Sequence, residues 1–187
     1  QIYLQDHLPG DGAEGRSAGM KERTPLPEQI AVDPVEKVRA FLEEAGYEGE
    51  IHFSEETIRT VDDTSRSVGA PPEEILKTIV LLADGRPVIA LMSGPNRIDL
   101  KKVKALLGAR KVSMARPEWV LEYSGFEVGG VPPVGFPSRP CALIDRDLFR
   151  FELVWAAAGT DHTFFPVSPR MLEVYTGGVE ADIKKES

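Results

Sequence analysis

The chain has 187 residues, 42% of them apolar, and a formal net charge of −8, which favours one domain with room for an added arm and argues against a non-specific nucleic-acid binder while leaving space for a local basic pocket. Its single cysteine, Cys141, excludes an intramolecular disulfide and fits a reducing compartment. No run of about 18 apolar residues offers a membrane span and the opening residues lack the pattern of a secretory signal, so a soluble, cytoplasmic protein is expected.

Residues 1–32 read as an N-terminal extension, partly linker, because 9–15 are small and polar and no period is sustained. Such an arm would dock, if it docks, through Ile2, Tyr3 and Leu4. The folded body, 33–187, opens on Asp33-Pro34-Val35-Glu36, a cap, a first-turn proline and a capping-box acid. Val35, Val38, Phe41, Leu42 and Ala45 then recur at helical spacing until Gly46. A short strand is predicted over 50–53, and a helix from Thr60 to about Val68 with Asp63 as box partner. Pro71-Pro72-Glu73-Glu74 predicts a short helix closed by Lys77, followed by an apolar strand over 78–82. Asp84-Gly85 is a hairpin signal, with the partner strand over 87–92. Asp99 caps a helix ended by Gly108, 111–114 suggests a strand, and Pro117 starts a helix stopped by Gly125. Strands follow over 126–128, 141–144, 152–158 and 163–167, then a helix from Ser168-Pro169 to about Tyr175 and a final strand over 179–183. Helices and strands interleave irregularly and the clearest links are hairpins, which predicts an α+β domain on a mixed, largely antiparallel central sheet flanked by helices.

The loop Glu127-Val128-Gly129-Gly130-Val131-Pro132-Pro133-Val134-Gly135 cannot be regular structure. Its prolines lack donors and fix φ, and its glycines permit close approach to bare backbone. It is either a proline-stiffened turn or an amide-lined ligand site. Lys77 stands at the head of an apolar run, either as a helix-terminal cation or as the holder of an anion or developing oxyanion. His162, in the Gly159-Thr160-Asp161-His162-Thr163 turn, is either solvated or a pocket-edge hydrogen-bonding group. Cys141 sits in an apolar strand and reads as a small buried hydrophobe rather than a thiolate. His7, His52 and His162 are scattered, with no HExxH and no CxxC, so no metal site and no cofactor is expected. The glycine-rich loop matches neither the P-loop nor the G-x-G-x-x-G pattern, and no serine sits in a nucleophile elbow.

Four stretches in order carry a resemblance: 68–78 around Lys77, Asp99-Leu100-Lys101-Lys102, 125–135, and the strand, glycine turn, strand and helix over 154–172. Together they resemble the aminoacyl-tRNA deacylase family of the bacterial YbaK protein and the editing domain of prolyl-tRNA synthetase, over roughly 33–183. The resemblance implies a mixed sheet flanked by helices and hydrolysis of the ester joining a wrong amino acid to tRNA. It implies that Lys77 is essential or nearly so, that Thr78 and the loop residues Gly129, Gly130, Val131, Pro132 and Pro133 line the pocket together with Gly159, and that His162 acts at its edge. The implied substrate is the 3′ acceptor end of an aminoacyl-tRNA, most of all Cys- or Ala-tRNAPro, with an aminoacyl-tRNA synthetase as a further partner. A non-catalytic module of the same fold that binds tRNA or a synthetase is the alternative. Pro132 departs from the small polar residue often found before the loop proline, and the 160–163 turn fits neither known subfamily, so the amino acid stays open.

Overall fold

The computed structural model describes residues 32–186; the arm at 1–31 lies outside the described residues. Helix starts follow the capping chemistry of the sequence. In α1 (Pro34–Glu44) the Asp33 carboxylate accepts from the Val35 N–H at 2.8 Å. In α2 (Val61–Val68) Thr60 and Asp63 form a reciprocal capping box. Asp99 caps α3 (Leu100–Leu107), Pro117 opens α4 (Pro117–Ser124), and Ser168 caps α5 (Pro169–Thr176). The last four helices each end on a glycine in the left-handed region.

Eight strands form two sheets. A five-stranded sheet has the order β4 (Val112–Met114), β2 (Leu76–Ala83), β3 (Arg86–Ser93), β5 (Cys141–Asp145), β8 (Val179–Ala181), and a three-stranded sheet the order β1 (His52–Phe53), β7 (Thr163–Val167), β6 (Val154–Ala157). The β3–β5 and β5–β8 pairings are parallel and the other four antiparallel, so the α+β, largely antiparallel expectation stands. A bridge between Ile75 and Trp155 links the two sheets.

Alternation along the central strands sorts their side chains into two cores. Leu76, Val80, Ile89, Leu91, Ala142 and Ile144 face α1, α4, α5 and the small sheet. Leu81, Ala83, Val88, Ala90, Met92 and Leu143 face α3 and Ile183. Among the described residues no helix is long and apolar enough to cross a membrane.

Three local readings need correction. Pro72–Glu74 is a single 3-10 turn, closed when the Ile75 N–H bonds the Pro72 carbonyl. The strand therefore begins at Leu76, and Lys77 is its second residue, opposite Met92, rather than a helix end. Residues 126–128 form no strand: Phe126 is buried edge-on to Phe136, and the Gly130 N–H closes a turn on the Glu127 carbonyl at 3.0 Å. Arg146–Arg150 is a 3-10 helix, capped by Asp145, where no element was expected.

Candidate functional site

The site lies at an unfinished edge of the large sheet. Strand β3 pairs with all eight residues of β2, but β4 covers only Leu81–Ala83, and the Ala115 N–H bonds the Val80 carbonyl at 3.0 Å. Alternate residues of a strand direct both peptide groups to the same edge. Thr78, two before Val80, therefore aims its N–H and C=O into the gap between the end of β4 and the small sheet. A cleft of about 530 Å³ occupies this gap. Because it wraps the strand edge, it is lined both by Lys77, on the α3 side, and by Thr78, on the opposite side.

The other walls come from three places. Arg59, Thr60 and Val61 stand at the start of α2, Val128, Gly129 and Val131 belong to the glycine-proline loop, and Ala157, Asp161 and Phe164 belong to the β6–β7 hairpin. Two backbone contacts fix these walls. A Cβ on Gly130 would lie 2.6 Å from the Thr160 backbone, and one on Gly159 would lie 2.7 Å from the Pro34 carbonyl oxygen. Only glycine lets the loop, the hairpin turn and the start of α1 stack this closely.

Lys77 is half-buried, and burial pushes its ammonium below the ordinary lysine value. The neighbouring Arg97 pushes the same way, and Asp145 opposes both. No ion pair to Lys77 forms among the described residues. Sequence reasoning missed Asp145, which is 1% exposed. Its carboxylate accepts from the Ser93 N–H at 3.0 Å, the Asn96 amide at 2.8 Å and the Asp147 N–H at 3.0 Å. Ser93 Oγ in turn donates to the Glu73 carbonyl at 2.6 Å, so the network ties β3 and β5 to the turn that launches Lys77. The one sequence signal was an acid closing an apolar strand, and it reads equally as a helix cap.

Thr78 Oγ1 is buried and has no hydrogen-bond partner. A buried hydroxyl in that state costs about 1–3 kcal/mol, which a ligand in the cleft would relieve.

The expected site residues divide. Lys77, Thr78, Gly129 and Val131 line one cleft. Gly130 is buried behind it, with its N–H engaged by Glu127, so of the expected loop residues Gly129 and Val131 face the cleft, beside Val128. Pro132 is buried, and Pro133 lines a smaller hollow with Phe41, Phe136 and Tyr175. Gly159 serves the contact with α1. His162 is about half exposed and outside the cleft lining, and its Nδ1 lies 3.0 Å from the carboxylate of Asp161, which does line it. Cys141 is half-buried, and burial pushes its thiol up, away from thiolate chemistry.

A cationic, partly desolvated edge facing an apolar wall suits an ester carrying a phosphate nearby. Residues 55–174 match the family model of the aminoacyl-tRNA editing domain. YwhH of Bacillus subtilis (strain 168), described as uncharacterized, is 29% identical over 143 residues, covering 76% of this chain and 90% of YwhH. A proline–tRNA ligase of Elusimicrobium minutum is 35% identical over 129 residues, 67% of this chain but 22% of that ligase. The crystal structure of a proposed trans-editing enzyme for prolyl-tRNA synthetase is similar with a TM-score of 0.78 and 35% identity, over 82% of this chain and 98% of that one.

Proposed function

The chain belongs to the aminoacyl-tRNA editing domain family, and from that premise we propose that it is a trans-editing hydrolase that removes the amino acid from mischarged tRNA, Cys- or Ala-tRNAPro above all. The observation that carries this reading is that Lys77, an ammonium with no ion pair among the described residues, and the Gly129–Val131 loop share one cleft. The 35% identity and TM-score of 0.78 to a proposed trans-editing enzyme for prolyl-tRNA synthetase support this reading.

An aminoacyl ester is already activated, so the protein need not supply a covalent nucleophile. Water, or a thiol or hydroxyl of the substrate, adds to the ester carbonyl. The carbonyl oxygen takes the negative charge, and the bond to the ribose oxygen then breaks as that oxygen takes a proton. Lys77 holds the charge of the reacting ester or of the terminal phosphate, and backbone N–H groups of the cleft orient the carbonyl. A preorganised donor of this kind lowers a barrier by about 3 kcal/mol. His162 acts on the cleft through Asp161. The apolar wall selects by volume, worth only about 1–3 kcal/mol per methylene, which is why a second, proofreading site is useful at all. With a net charge of −8, the body of the tRNA is held by another partner, a synthetase being the natural one.

The test is a panel of charged tRNAs, with Cys, Ala and Ser on tRNAPro and other mischarged pairs. The purified protein is expected to clear Cys- or Ala-tRNAPro and to spare Pro-tRNAPro. If it clears no member, the hydrolase reading fails and the non-catalytic module takes its place.

A further inference from the structure

Resting on that reading, we infer that Asp161 is the receptor for the substrate's α-ammonium group, so that the cleft recognises an aminoacyl ester by charge at both ends. Among the described residues, Asp161 is the one acid that lines the cleft. The cations Arg59 and Lys77 come from the start of α2 and from β2, whereas Asp161 comes from the β6–β7 turn. A 3′-aminoacyl nucleotide carries the same polarity: phosphate on the nucleotide side, ammonium on the amino-acid side, and a neutral ester between them. Laid across the cleft with its phosphate toward Arg59 and Lys77, it brings its ammonium to Asp161.

The turn presents this carboxylate rather than its neighbour. The Thr160 N–H bonds Thr163 Oγ1 at 3.2 Å and the two threonine hydroxyls meet at 2.7 Å, closing the hairpin tip. Gly130 packs against the Thr160 backbone and the Asp161 nitrogen, so the position of residue 161 is set by the adjoining glycine-proline loop. His162 Nδ1 lies 3.0 Å from Asp161 Oδ1, and among the described residues the second carboxylate oxygen makes no hydrogen bond. His162 is thus a positioning residue that steadies the carboxylate.

The prediction concerns charge, so the probe is a neutral near-isostere. Alanyl-tRNAPro and lactyl-tRNAPro, its α-hydroxy counterpart, differ at the α-substituent alone; if the panel shows another preferred amino acid, that ester and its α-hydroxy form replace them. The ratio of kcat/KM for the two esters is measured for the wild type, Asp161→Asn and Asp161→Glu. Comparing ratios between proteins cancels the intrinsic reactivity of each ester. The wild-type ratio is expected to exceed that of Asp161→Asn by about tenfold, the scale of one charge-assisted hydrogen bond at a solvated site, while Asp161→Glu keeps most of the preference. Equal ratios in the wild type and Asp161→Asn overturn the assignment of Asp161 and leave the editing reading standing. A wild type inactive on every ester overturns the editing reading and this one with it.

Discussion

Lys77 in strand β2, set against Lys102 of α3 and Lys184 of the C-terminal segment, shows how environment divides one side chain into two uses. Lys102 and Lys184 bind the C-terminal segment to the body. Lys102 Nζ donates to Asp182 at 3.1 Å, to the Lys184 carbonyl at 2.8 Å and to Glu186 at 2.8 Å, and Lys184 Nζ donates to Asp147 at 2.6 Å. These partners hold both ammonium groups above the ordinary lysine value. Lys77 has the opposite environment, with burial and Arg97 lowering its value and no carboxylate among the described residues paired with it. A lysine with full partners stabilises the fold, whereas one kept partly desolvated and without an ion pair costs stability and is available to a ligand.

The sharpest way to break this contrast is Lys77→Met. Deacylation is expected to fall by about 10²- to 10³-fold, while the melting temperature at pH 7 holds or rises. The sign follows from linkage: with the folded-state value below the unfolded one, the charged lysine opposes folding at neutral pH and the penalty fades as pH rises toward 10.5. Single-turnover deacylation and a thermal melt check both halves. Loss of the fold together with activity would place Lys77 with the structural lysines.

Lys184→Met tests the other side and should move stability rather than chemistry. A drop of about 2 °C in melting temperature is expected at pH 7, with deacylation retained. Lys184 and Asn96 hold the Asp147 carboxyl below its ordinary value of 3.8. That contribution is present above 3.8 and lost as pH falls through the lower folded-state value, so the acid limb of the wild-type stability curve should be steeper than that of Lys184→Met. Melts at several pH values decide it, and parallel acid limbs would remove Lys184 from the account.

The smallest effect belongs to a group shifted by burial with little help from charge. The Tyr47 hydroxyl donates to the Pro166 carbonyl, and desolvation, with a lesser effect of Tyr175, pushes it up to about 12. Its contribution is full below 10.0 and is lost as pH rises toward about 12. Tyr47→Phe should flatten the alkaline limb of a denaturation series over that window and leave deacylation at pH 7 unchanged; an alkaline limb identical to wild type would contradict the assignment.

Most helix starts were legible because their signals are local. Asp33, Thr60, Asp99 and Ser168 each cap within three residues of themselves. Lys77 was singled out as a candidate site residue, but its place in the fold was misread as a helix end, because Pro-Pro-Glu-Glu announces a helix that stops after one 3-10 turn. Asp145 carried only an ambiguous local signal, since its partners Ser93 and Asn96 lie 52 and 49 residues away. Of Asp161 and His162, the sequence singled out the histidine, as a pocket-edge hydrogen-bonding candidate that the family resemblance then favoured. Which of two adjacent turn residues faces a cleft depends on how Gly130 seats against Thr160, and no local pattern encodes that.

That seating reaches further. From the start of α1 through Gly159 and Gly130 to the loop, the cleft's frame is spaced by peptide groups, whose dimensions are the same whatever side chains surround them. The frame is a caliper with a fixed jaw. A change of one methylene in the guest the cleft admits is then a matter of trimming Val61, Val131, Ala157 or Phe164, the side chains that pad the frame.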